Sequence, residues 1–248
     1  MRLIRVHVAC ELRVQGAAVL TGAAAGHVRR VLRLRTGDPV TLFNGDGWDY
    51  SGRIVALRGD HVEIELDDRT EGVPESPLAI TLAQGVARGE RMDIVLQKAT
   101  ELGVTRVVPV VTERSVVRLD PDRTERRLAH WQAVVIAACE QSGRARVPEV
   151  MPPLPLARWL GELPDDAARI LLWPGAGRAL AGAVAAPGRV TLLVGPEGGL
   201  TDAERDAAME VGFDARSLGP RILRTETAAI AALAVLQSAA GDLAEAPE

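Results

Sequence analysis

Residues Gly195-Pro196-Glu197-Gly198-Gly199 have the composition of a loop that lets a ligand come close to the main chain. The apolar run Leu192-Leu193-Val194 before them predicts a buried strand. Thr201-Asp202-Ala203-Glu204 after them has the pattern of a capping box that opens a helix. A strand ending in a glycine-rich turn at a helix N-terminus presents several backbone N–H groups beside a positive dipole end, which suits a polar ligand. A tight β–α turn with no ligand has the same local pattern. Two nucleotide motifs are excluded, because GxGxxG is absent and no Gly-Lys-Ser/Thr follows the turn.

A second segment repeats the design. At Ser217-Leu218-Gly219-Pro220 a strand again ends in Gly-Pro, and after Arg221-Ile222-Leu223 the chain enters a helix predicted over residues 225–240. Arg224 and Glu226 stand at its start. Glu226 complements the positive helix end, whereas the Arg224 cation is slightly unfavourable there, so its presence beside a glycine-rich loop points to function or to a salt bridge.

The elements that must position these residues follow from hydrophobic patterning. Up to residue 68, short alternating strands surround one helix predicted from Thr21 to Leu34 and closed by Gly37. Asn44-Gly45-Asp46-Gly47 and Arg58-Gly59-Asp60 are the turns. This reads as a small β-barrel, with Trp48 and Tyr50 in its core. Residues 69–77, polar with two prolines, read as a linker. Strands and helices then alternate. Strands are expected over residues 78–86, 104–111, 170–173 and 190–194. Helices carry Met92, Val95, Leu96, Ala99 and Leu102 on one face, then Leu128, Trp131, Val135 and Ala138 on another. Such alternation implies an α/β domain with a mostly parallel sheet, so the expected domains are residues 1–72 and 73–248.

Composition narrows the function classes. The net charge of −4 is mildly adverse to nucleic-acid binding, which needs only a local positive surface. Of 29 basic residues only Lys98 is lysine, a bias that genomic GC content explains. Local clusters exist. Arg29, Arg30, Arg33 and Arg35 lie on or after the first helix, with Arg29 and Arg33 at i, i+4 spacing, and Arg114, Arg118, Arg123, Arg126 and Arg127 form a second group diluted by acids. Aromatic residues make up 3% of the chain, so base stacking would not be the main device of any nucleic-acid binding. Cys10 and Cys139 are far apart and the four histidines are scattered, which argues against a metal site. The start Met1-Arg2-Leu3-Ile4-Arg5 lacks a signal-peptide core and no apolar run reaches membrane length, so a cytoplasmic protein is expected.

Taken together, Gly195-Pro196-Glu197-Gly198-Gly199 and Leu218-Gly219-x-Arg221-Ile222-Leu223-Arg224-x-Glu226-Thr227-Ala228 resemble the knotted (SPOUT) RNA methyltransferases. The likeness is closest to the family that methylates N3 of a uridine in 16S rRNA of the small ribosomal subunit. Arg91-Met92-Asp93, Gln97-Lys98-Ala99-Thr100-Glu101-Leu102-Gly103, Thr112-Glu113-Arg114-Ser115-Val116 and Glu140-Gln141-Ser142-Gly143-Arg144 match the same family. The match covers residues 78–240 well. Through His27, Val31-Leu32-Arg33 and Gly37-Asp38, the first domain resembles the family's PUA-like RNA-binding barrel more loosely. Arg88-Gly89-Glu90 departs from the family's usual Lys-Gly but keeps a basic residue.

The resemblance implies an α/β fold with a deep C-terminal trefoil knot, a homodimer, and S-adenosylmethionine held among three loops. In this sequence those loops are carried by Leu172 and Trp173, by Gly195, Pro196, Glu197, Gly198 and Gly199, and by Leu218, Gly219, Ile222, Leu223 and Thr227. Uridine N3 carries a proton, so its methylation calls for a proton acceptor and for cations aimed at the uracil oxygens. Arg114 and Arg224 are the candidate cations, and Glu140 and Glu226 the candidate acceptors. Expected RNA contacts are His27, Arg29, Arg30, Arg33, Arg88 and Arg144. No metal and no membrane partner are expected. Two alternatives stay open: a knotted methyltransferase acting on a ribose 2′-hydroxyl of tRNA or rRNA, and a non-catalytic ribosome-assembly factor.

Overall fold

The computed structural model describes residues 4–115, 121–163 and 167–244. Met1 to Leu3, Val116, Arg118 and Asp120 therefore lie outside the described residues. The chain divides into two compact units. One comprises residues 1–75 with 136–147, and the other comprises 76–135 with 148–248.

The first unit is a half-barrel. Strands β1 (Arg5–His7), β2 (Ala17–Leu20), β3 (Pro39–Phe43), β4 (Trp48–Arg58) and β5 (His61–Glu71) form one sheet in the order β1-β3-β4-β5-β2. The β1–β3 pair is parallel and the other pairs are antiparallel. Alternating residues of β4 and β5 point inward, so Tyr50, Ile54, Val62, Ile64 and Leu66 are all buried, and Trp48 packs against the same core. Strand β5 runs three residues past Asp68, so Arg69 belongs to the sheet and not to a linker. There its guanidinium lies 4.3 Å from the Trp48 ring centroid.

The first helix is shorter than its pattern predicts. It consists of α1 (Gly22–Gly26) followed by a π-helical turn over His27–Val31. Two glycines bracket the α-helical turn, and β-branched Val28 and Val31 disfavour its continuation. In the wider turn the Leu32 N–H donates to the His27 carbonyl at 3.0 Å, and Arg33 then takes φ +54°. Arg33 thus lies past the helix end, and the i, i+4 face expected for Arg29 and Arg33 does not form. Thr21 occupies the N-cap position without a side-chain cap hydrogen bond.

Residues 136–147 count with this unit, and their contacts explain why. The Arg5 guanidinium donates to the Cys139 carbonyl at 2.7 Å, pairs with Asp49 at 2.6 Å and lies over the Phe43 ring. Arg144 is buried in an ion pair with Glu75. The His7 N–H donates to Glu140 Oε1 at 3.0 Å. Burial pushes the Cys139 thiol up to about 11. Because the thiolate is the reactive form, native protein at neutral pH should titrate one fast thiol, the exposed Cys10, and release Cys139 only on unfolding. Two fast thiols in Ellman titration of native protein would contradict this packing.

The second unit is a parallel α/β sheet. Its strands are β6 (Leu78–Gly85), β7 (Val104–Val111), β8 (Glu149–Val150), β9 (Leu154–Pro155), β10 (Ala168–Leu172), β11 (Gly188–Val194) and β12 (Asp214–Arg216). Their order is β12-β10-β11-β6-β7-β8, with β9 also on β7, and every pairing is parallel. The five residues from Val190 to Val194 are all buried, as a strand covered on both faces requires. Helices α2 (Glu90–Glu101) and α6 (Thr225–Ala240) pack together, as do α4 (Leu156–Leu160) and α5 (Asp202–Glu210). The long α3 (Pro121–Ser142) precedes β8. Met92, Val95, Leu96 and Ala99 are buried on α2, while Leu102 forms its half-buried C-cap. Lys98 pairs with Glu101 at 2.8 Å, a contact within the helix end. No described helix is long and apolar enough to cross a membrane.

Candidate functional site

In a parallel α/β sheet, ligands sit outside the carboxyl ends of the strands, where connections diverge. Here that place holds a cleft of about 610 Å³ built by three loops. Leu172 ends β10 and Trp173 follows it, residues 195–200 follow β11, and residues 218–224 lead from β12 into α6. Apart from Thr227, every residue expected to hold a cofactor lines it: Leu172, Trp173, Gly195, Pro196, Glu197, Gly198, Gly199, Leu218, Gly219, Ile222 and Leu223. Thr227 is exposed and outside the lining, because the helical rotation from Glu226 turns it away.

Each loop is held by contacts that its sequence makes possible. Gly199 donates to the Pro196 carbonyl at 2.8 Å, closing a turn that places Gly199 at φ +69°, and Gly219 takes φ +72° before Pro220. The Thr201 hydroxyl accepts from the Glu204 N–H at 3.2 Å, while Glu204 accepts from the Thr201 N–H at 2.8 Å, so the predicted capping box is complete. Trp173 is backed by Arg205, whose guanidinium lies 5.0 Å from the indole.

Glu197 orients the second loop. Its carboxylate accepts from the Arg88 N–H and from the Arg91 guanidinium, each at 2.9 Å. Partial burial alone would raise its pKa. The Arg88 and Glu197 N–H groups and the Arg91 cation outweigh that and hold it below the ordinary carboxylate range. The pair explains why Arg91, inside the Arg91-Met92-Asp93 stretch, reaches the cleft.

Of the four candidate catalytic residues, the structure brings three together. Arg114, Arg224 and Glu226 all line the cleft. The Arg114 guanidinium donates to the Gly198 carbonyl at 3.1 Å and toward that of Leu200 at 3.4 Å, so this cation also fastens the glycine-rich loop. Arg224 is the N-cap residue of α6 and exposed, and its side chain makes no cap hydrogen bond. Glu226 Oε2 is buried and has no hydrogen-bond partner. Glu140 is not in the cleft; its carboxylate is committed to the His7 N–H of the first unit.

The expected RNA contacts divide similarly. Arg29, Arg30, Arg33 and Arg88 are exposed and His27 is half-buried. Arg144 is corrected from an RNA contact to an internal ion pair, since its guanidinium is spent on Glu75. Among the described residues no group of His, Cys, Asp and Glu is arranged to hold a metal ion.

Sequence reasoning missed the strand end on which the glycine-rich loop rests. Gln84 and Gly85 end β6, next to β11. A Cβ on Gly85 would lie 2.4 Å from the Pro196 nitrogen and 2.8 Å from the Gly195 carbonyl carbon, so only glycine lets this loop rest on the strand. The available signal was a glutamine at the end of a mostly apolar buried strand.

Comparison with known proteins agrees with this architecture. The model of an RNA methyltransferase domain family matches residues 74–237, and that of an RNA methyltransferase PUA domain matches residues 20–67. The ribosomal RNA small subunit methyltransferase E of Buchnera aphidicola (subsp. Schizaphis graminum) is 31% identical over 242 residues, covering 98% of each chain. A Legionella pneumophila protein solved in complex with the cofactor SAM superposes with a TM-score of 0.94 at 39% identity, covering 98% of this chain and 100% of that one. The ribosomal RNA small subunit methyltransferase E of Neisseria gonorrhoeae, solved bound to S-adenosylmethionine, gives a TM-score of 0.90 at 40% identity, covering 97% and 99%.

Proposed function

Because the chain belongs to the RNA methyltransferase family, in the branch of ribosomal RNA small subunit methyltransferase E, we propose that it methylates N3 of one uridine in 16S rRNA of the small ribosomal subunit, using S-adenosylmethionine. The observation that carries this reading is the cleft at the carboxyl ends of β10 and β11, with the buried acceptor Glu226 and the arginines Arg114 and Arg224 among those on its wall. The residues fit the cofactor. The three loops offer backbone groups unobstructed by Cβ atoms together with an apolar wall from Leu172, Trp173, Leu218 and Leu223. Bound there, S-adenosylmethionine supplies an electrophilic methyl group.

The chain's own residues do the rest. Glu226 Oε2, buried without a donor, is placed to take the N3 proton directly or through a water. Arg224 and Arg114 stabilise the negative charge that then spreads onto the uracil oxygens. Holding both reactants in one cleft converts a bimolecular encounter into an effectively unimolecular step. A homodimer and the deep trefoil knot belong to the same reading.

RNA binding is assigned to the exposed arginines around the π-helical turn, with Arg88 and His27. An Arg30→Ala, Arg33→Ala double variant should bind rRNA about tenfold more weakly at physiological salt, with a shallower salt dependence, because two phosphate contacts are lost. S-adenosylmethionine affinity should stay unchanged. Equal loss of both affinities would mean that the substitutions had damaged the fold.

The test is methyl transfer from labelled S-adenosylmethionine to small ribosomal subunits from a strain lacking the gene, followed by identification of the labelled nucleoside. Label in 3-methyluridine at a single position is the expected result. Label in a 2′-O-methyl nucleoside would move the chemistry to ribose. Cofactor binding with no RNA labelled would favour an assembly factor.

A further inference from the structure

Buried polar side chains join the end of β6 to the first turn of α6 and to the loop after β11. Gln84 is fully buried at the end of β6, and its Nε2 donates to Thr225 Oγ1 at 2.9 Å and to the Gly85 carbonyl at 3.0 Å. Thr225, nine-tenths buried in the first turn of α6, donates its hydroxyl hydrogen to the Gly195 carbonyl at 2.6 Å. The direction is fixed by chemistry. An amide nitrogen only donates, so the Thr225 oxygen accepts from it and its single proton is left to point at Gly195. The chain of donors runs from β6 through α6 to the glycine-rich loop after β11. Thr225 also stands between Arg224 and Glu226. Gln84 Oε1 is buried without a hydrogen-bond partner, so the amide is held through its Nε2 contacts.

We propose that Gln84 and Thr225 are positioning residues that lock the Gly195 loop to the first turn of α6, so that the cofactor loop and the Arg224–Glu226 pair are set by one buried hydrogen-bond relay. This rests on the methyltransferase reading of the cleft. The relay couples two requirements that a plain structural contact would not. Loss of the Thr225 hydroxyl frees the loop that holds the cofactor, and it also frees the helix turn that carries the charged groups. A purely structural role would lower stability and leave the activity of the folded fraction intact.

Thr225→Val removes the hydroxyl and keeps the shape, and Thr225→Ser keeps the hydroxyl. The valine variant should bind S-adenosylmethionine about tenfold more weakly by calorimetry and lower kcat about tenfold, the scale of one buried, unmade hydrogen bond. The serine variant should recover both. Hydrogen exchange at the amides of residues 195 and 197–200 reads the relay in ligand-free protein. Exchange there should quicken in the valine variant and return in the serine variant. A Gln84→Leu variant tests the other end of the relay, because it removes the Nε2 donor that leaves the Thr225 proton for Gly195, and loop exchange should quicken there as well. A valine variant with wild-type loop exchange would overturn the relay, as would one with wild-type kcat and cofactor affinity per folded molecule. Failure of the wild-type protein itself to bind S-adenosylmethionine would instead remove the methyltransferase reading, while loop exchange would still decide the relay.

Discussion

Gly85→Ala is expected to weaken S-adenosylmethionine binding at least tenfold while lowering the unfolding free energy by about 1–3 kcal/mol, the usual cost of forcing a methyl group into a packed site. The new Cβ would lie 2.4 Å from the Pro196 nitrogen, 2.5 Å from its Cδ and 2.8 Å from the Gly195 carbonyl carbon. None of these is the free end of a flexible side chain. The loop backbone must therefore lift off β6, and the loop it displaces is the one whose backbone lines the cleft. At this chain length each kcal/mol shifts Tm by roughly 2–4 °C, so the expected fall is between about 2 and 12 °C. Gly177 is the control, since a Cβ there meets nothing within 4 Å and its φ is not in the left-handed region. Calorimetric titration with S-adenosylmethionine and a thermal melt of both variants check the prediction. Wild-type affinity in the Gly85 variant would show that the loop adapts without cost and does not need the strand as its floor.

Why Gly85 escaped notice in the sequence is instructive. The glycines of residues 195–199 were legible because strand, turn and capping box are local signals that lie within residues 192–204. The same holds for Arg224 and Glu226, whose place at a helix start follows from the apolar run after them. The role of Gly85 depends on β6 and β11 being neighbours, a pairing of residues about 110 positions apart that periodicity does not encode. Glu140 and Arg144 failed for a related reason. Their stretch is contiguous in sequence with the long helix, yet residues 136–147 pack with the half-barrel through Arg5, His7 and Glu75. A motif match carries no information about which partner claims a side chain. The π-helical turn at His27–Val31 shows the limit of helix patterning. The polar and apolar spacing there suits a longer helix, and two glycines with two β-branched residues decide otherwise.

Arg224→Ala should leave the fold intact and reduce kcat by about 10²- to 10³-fold, the range seen when one donor to a developing oxyanion is removed. The structural half of this expectation comes from the helix dipole. Arg224 is the N-cap residue of α6, exposed and without a cap hydrogen bond, where a cation meets the positive helix end. Removing it costs the helix nothing and relieves a repulsion of a few tenths of a kcal/mol, so Tm should hold or rise slightly. The kinetic half separates Arg224 from Arg114. The Arg114 guanidinium donates to the carbonyls of Gly198 and Leu200, so truncating it should loosen the loop and raise KM for the cofactor together with any loss in kcat. Arg224 has no such duty, so its loss should fall on kcat with KM for S-adenosylmethionine changed by no more than about threefold, the signature of an interaction made only in the transition state. Arg224→Lys should recover part of the rate, because it keeps the charge and loses the planar fork. Steady-state kinetics on small ribosomal subunits, with calorimetric cofactor affinity alongside, tests the separation. Full activity in Arg224→Ala would strike this residue from the mechanism and leave Arg114 as the cation facing the uracil. A rise in KM equal to the fall in kcat would instead place Arg224 with the groups that hold the cofactor.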